Sequence, residues 1–136
     1  MNSVNKIGEA TKQGEITEEG IGQLIEAFYS KVRLDPYLAP VFERAITGDW
    51  RPHLATMRDF WSSVMLTSGR YNGNPLAVHL GVEGMAPELF DHWLRLFNET
   101  CVELFDESVA RAFRVKAGRI AESLKLALFY RPIART

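Results

Sequence analysis

An all-α domain of about five helices is what this chain predicts, and three observations carry that expectation. Apolar residues recur at helical spacing along nearly every segment. No stretch alternates apolar and polar residues between hairpin turns. Capping residues, proline and glycine stand where the periodic segments should start and stop. At 136 residues, one domain with a real core is the natural size.

The elements follow in order. Residues 1–15 are polar, without the apolar block of a signal peptide, and read as a flexible N-terminal tail. Thr17 is placed to cap a helix with Glu18 and Glu19 in its first turn. Ile21, Leu24, Ile25, Phe28 and Val32 form one stripe that ends before Asp35-Pro36. A short piece from Pro36 carries Leu38, Val41 and Phe42. Asp49 is expected to cap the next helix, which runs to about Ser68 with Gly69 as its stop and Trp50, Leu54, Met57, Phe60, Trp61 and Val64 facing inward. Asn74-Pro75 opens a very short helix that barely passes Gly81. Pro87 opens another, to roughly Phe105. Asp106 caps the last, with Val109, Phe113, Ala117, Ile120 and Leu124 on its inner face.

Composition excludes several classes of function. Sixteen basic and seventeen acidic residues nearly cancel, so neither nucleic acid nor an anionic membrane has an electrostatic case as main partner. The single cysteine, Cys101, rules out an internal disulfide or a multi-cysteine metal site and suits a reducing compartment; its mid-helix position marks an inert core thiol. No run approaches the roughly 18 to 20 apolar residues of a membrane span. A soluble, cytoplasmic protein is expected.

Chemistry should show where the apolar periodicity is broken. His79 sits between Val78 and Leu80 on a helix too short to contribute much stability of its own, so that helix reads as a mount for its imidazole. His53 lies four residues before Met57 and seven before Phe60, on the inward face of its helix. Tyr29 flanks the stripe Ile25-Phe28-Val32, and its hydroxyl should want a partner. Trp93 shares a face with Phe90, Phe97, Thr100 and Leu104, and its indole N–H is a donor only. Each of these, taken singly, is also compatible with an ordinary core residue whose polar tip is satisfied. His92, beside Leu89, Leu96 and Glu99, reads as a boundary residue without a role. The two histidines match no zinc spacing, no nucleophile stands at a turn, and there is no phosphate loop or set of inward carboxylates. What remains is an aromatic pocket with one presented imidazole and a few donors, which suits a flat apolar macrocycle with an iron centre.

Five motifs now align with a known family. Phe28-Tyr29-Ser30-Lys31-Val32, Trp50-Arg51-Pro52-His53, Asp59-Phe60-Trp61, Tyr71-Asn72-Gly73-Asn74-Pro75 running to His79, and Trp93-Leu94-Arg95-Leu96-Phe97 resemble the third group of truncated haemoglobins. The likeness spans about Ile16 to Tyr130, and the double-glycine signals of the other groups are absent. It implies a truncated globin domain over residues 16–131, a two-over-two helical sandwich around haem b, with residues 132–136 as a C-terminal end. By the same resemblance His79 is the proximal iron ligand and Tyr29, His53 and Trp93 are the distal polar residues. Phe28, Phe42, Leu54, Met57 and Phe60 are implied as pocket walls, with Tyr71 as a propionate contact.

The function so implied is reversible binding of dioxygen, carbon monoxide or nitric oxide, with nitric oxide and oxygen redox chemistry supplied with electrons by a separate reductase. Nitric oxide dioxygenase or weak peroxidase activity stays open, as does a monomer or weak dimer. The contrasting reading is a cofactor-free helical interaction module whose aromatics are merely core.

Overall fold

The computed structural model describes residues 12–130. Among these residues six helices form: α1 (Glu18–Leu34), α2 (Leu38–Ala45), α3 (Arg51–Leu66), α4 (Pro75–Leu80), α5 (Pro87–Leu104) and α6 (Glu107–Phe129). The all-helical expectation holds, with one more helix than the five expected. The piece after Pro36 is a full two turns because Asp35 Oδ1 accepts from the Tyr37 and Leu38 amides, each at 2.9 Å, and so caps α2 from outside.

Most boundaries obey the local chemistry. Thr17 caps α1 by accepting from Gly20 N at 2.9 Å, Asn74 caps α4 through Ala77 N, and Asp106 caps α6 through Val109 N. α3 departs from expectation at both ends. Trp50 occupies its N-cap position, while Asp49 Oδ1 accepts from Arg51 N at 3.0 Å and also grips the Arg51 side chain. The helix stops at Thr67, which turns left-handed with φ 58°, two residues ahead of Gly69 (φ 76°). Part of the expected tail falls on residues 1–11, outside the described residues, as does the end at 132–136. Gln13, within it, is tied down: its amide donates to Leu104 O and its carbonyl accepts from Asp106 N.

α5 pairs with α6, and α1 pairs with α3 and lies across α5, giving the two-over-two arrangement. Between them Ile21, Leu24, Ile25, Phe28 and Val32 of α1 meet Phe97, Cys101, Phe105, Val109, Phe113 and Ala117. A stack of Trp61, Phe97 and Trp93 crosses this core, with ring centroids 4.9 and 5.1 Å apart, and Phe28 stands edge-on to Phe97 and Trp93. Ser62 is fully buried yet hydrogen-bonds both Glu18 Oε2 and Ser68 Oγ at 2.7 Å, while Arg70 pairs with Glu18 at 2.9 Å. This network fastens the segment that leads from α3 to α4 against the start of α1. Among the described residues no helix is long and apolar enough to cross a membrane.

Candidate functional site

A cavity of about 640 Å³ opens between α2, α3, α4 and the α5–α6 pair, within the size range of small-molecule and cofactor sites. Its walls are overwhelmingly apolar, and His79 and His53 both line it.

His79 is presented as its short helix suggests. Its Nδ1 lies 2.7 Å from the Pro75 carbonyl oxygen. A carbonyl can only accept, so Nδ1 carries a proton, and in the neutral ring Nε2 is the nitrogen with the free lone pair. The ring is flanked by Phe90, centroids 5.7 Å apart.

Tyr29, His53 and Trp93 come together across the cavity, although they stem from three different helices. The Tyr29 and His53 rings meet edge to face at 5.1 Å. Tyr29 is almost wholly buried, and burial pushes its phenol pKa well above the ordinary value; a hydrogen bond from the Trp93 indole only partly opposes this. The phenol is therefore a permanent O–H. His53 has its Nε2 buried without a partner among the described residues, and burial lowers its pKa, keeping the ring neutral. Phe42 and Trp50 complete the aromatic cluster, and Arg33 lies 4.5 Å over Trp50.

The wall residues divide by helical position. Met57 and Phe60 share the His53 face of α3 and line the cavity, as do Phe42 and Tyr71. Phe28 and Leu54 do not reach the lining and belong to the core one layer behind it. Leu54 lies one position from His53, about 100° further around α3, and packs against the buried core. Tyr71 stands edge-on to Phe60 at 5.1 Å, with its hydroxyl folded back over Gly73.

Sequence periodicity missed Arg44, Val82, Met85 and Leu89 on the lining. The first is an exposed arginine at a helix end, and the second and third lie in a turn with no period to read. His92, expected to be idle, pairs with Asp35 through Nε2 at 2.6 Å. Burial alone would raise the Asp35 carboxyl, but the bonds from His92 and the Leu38 and Tyr37 amides prevail and hold it below the usual carboxylate range. Cys101 is core, as expected, with burial pushing its thiol up to about 12.

No family model matches the chain. It is 38% identical over 117 residues, 84% of its own length and 92% of the other's, to the group 3 truncated hemoglobin ctb of Campylobacter jejuni. Its structure aligns with the crystal structure of a group III truncated hemoglobin from Campylobacter jejuni at a TM-score of 0.84 and 36% identity, covering 90% of this chain and all of that one. Identity at this level over nearly the full length of both proteins, with the same helical architecture, makes the chain a member of the group III truncated haemoglobins, a globin-type haem protein.

Proposed function

We propose that His79 would ligate the iron of a bound haem and that Tyr29, Trp93 and His53 would hold a diatomic ligand in the same cavity. The residues of the cavity fit such a group. The walls are apolar, one imidazole offers an unprotonated nitrogen, and a buried histidine nitrogen opposite it lacks a partner. Haem, when bound, supplies an iron whose remaining position takes dioxygen, carbon monoxide or nitric oxide. Haem b, held without covalent attachment, suits a chain whose one cysteine is fully buried and off the cavity lining.

The observation that carries this reading is the bond from His79 Nδ1 to Pro75 O. It sets the tautomer and the ring plane before any metal arrives, which raises ligand basicity and leaves little reorganisation on binding. Tyr29 and Trp93 both line the cavity, and burial keeps the Tyr29 phenol protonated, so its O–H is available as a donor there. Dioxygen as a ligand develops negative charge, and hydrogen bonds to charged acceptors contribute roughly 1.5–3 kcal/mol. Tyr29 thereby favours dioxygen over carbon monoxide and slows its release. Slow release suits chemistry on the ligand, such as oxidation of nitric oxide with electrons from a separate donor, better than rapid delivery. His53 serves as a gate or a further donor beside Tyr29.

The test is the absorption spectrum of the purified protein in ferric, dithionite-reduced and carbon monoxide states, for wild type beside His79→Ala. A Soret band that shifts with each state in the wild type and is lost or strongly altered in the variant is the expected result. No Soret band after hemin addition would leave a helical interaction module with an aromatic core.

A further inference from the structure

We infer that Arg44 is the charge partner of the haem carboxylates at the mouth of the cavity, and that Gly84 makes room for its guanidinium. The inference rests on the haem reading above and extends it to the edge of the ring.

Among the described residues, Arg44 is the only lysine, arginine, aspartate or glutamate on the cavity lining. It makes no ion pair with any described residue, as is also true of Arg58 and Arg95, so it is the lining position that singles it out. A cation in the last turn of α2 is favourable for the helix in itself, but that does not decide where the head group lies. The structure lays it against Gly84. A methyl group there would come 2.5 Å from Arg44 Nη2, and the backbone of Gly84 is left-handed with φ 85°. Gly84 thus permits both the turn and the close approach of the guanidinium.

A haem is apolar except for its two propionate carboxylates. Those charges are costly to bury unpaired and so belong where the lining meets solvent, and Arg44 and Ala45 of the lining are exposed. A planar guanidinium matches a carboxylate with two parallel hydrogen bonds. Tyr71 can offer only a hydroxyl.

The experiment compares hemin with its propionate dimethyl ester, which has the same ring and iron but no carboxylates. Release from the loaded protein to an excess of a haem-scavenging apoglobin is timed for wild type, Arg44→Leu and Arg44→Lys, with the Soret spectrum recorded for each. Because Arg44 is exposed, hemin should leave Arg44→Leu about three- to tenfold faster than wild type. Arg44→Lys should fall between, and high salt should shrink the difference. The ester should leave all three proteins at one rate. Equal hemin release from wild type and Arg44→Leu would overturn the assignment, as would an equal acceleration of hemin and ester. Failure of wild type to take up either compound would instead defeat the haem reading itself.

Discussion

His79 Nδ1 lies 2.7 Å from the carbonyl oxygen of Pro75, one turn back on the six-residue helix that carries both. The helix is short, capped by Asn74 at one end and by Gly81 at the other, and this contact holds the ring against it. If the imidazole is the iron ligand, a cavity of its own shape should accept a free one. His79→Gly is expected to lose stable haem retention and to regain a Soret band when millimolar imidazole is added. Rescue absent in a variant that keeps its helical circular dichroism would argue against ligation by His79.

Tyr29 meets His53 edge to face on the cavity lining, and burial keeps its phenol an O–H. Tyr29→Phe should therefore raise the oxygen dissociation rate by roughly ten- to a hundredfold, the equivalent of one charge-assisted hydrogen bond. Trp93→Phe should have a smaller effect of the same sign, because the Tyr29 hydroxyl remains as a donor. Stopped-flow displacement of oxygen by carbon monoxide measures both. An unchanged rate in Tyr29→Phe would remove its hydroxyl from ligand contact.

His53 carries a pH dependence whose sign is set by burial. Its folded pKa lies below the ordinary histidine value of about 6.5, so the unfolded chain takes up the proton first as pH falls. The neutral ring costs the fold nothing above that value, and stability is lost as pH drops from about 6.5 toward the folded pKa. Thermal unfolding of wild type and His53→Phe across pH 7 to 5 should show a steeper decline in wild type. Parallel profiles would mean that the ring protonates in place.

Phe97 is fully buried between Trp61 and Trp93. Phe97→Ala should cost about 3–5 kcal/mol in urea unfolding, as expected for an aromatic removed from a packed core. It should also loosen Trp93 and so speed oxygen release, while Phe97→Leu should recover most of the stability. A cost below about 1 kcal/mol would show that the stack collapses to fill the space.

Much of this arrangement was legible before any coordinates. Caps at Thr17, Asn74 and Asp106 and the stripes of α1 and α6 depend on residues a few positions apart, and local rules read them directly. The ends of α3 were misjudged by a residue or two, because Thr67 takes up the left-handed turn that glycine usually supplies. The resemblance implied Phe28 and Leu54 as pocket walls, but neither lines the cavity; each sits one helical position, about 100°, from the lining residues Tyr29 and His53. His92 looked idle because its partner, Asp35, lies 57 positions away.

What the amino-acid sequence determined by itself is five of the six described helices, the mounting of His79 on a very short helix, and the inward side of His53. These follow from backbone capping and helical period, which act within a turn or two of each residue. The tertiary structure alone decided that the Tyr29 and His53 rings meet on a cavity that Trp93 also lines, and that the Arg44 guanidinium lies against Gly84. Those relationships join residues on different helices, and only the packing of one helix against another sets the distances between them.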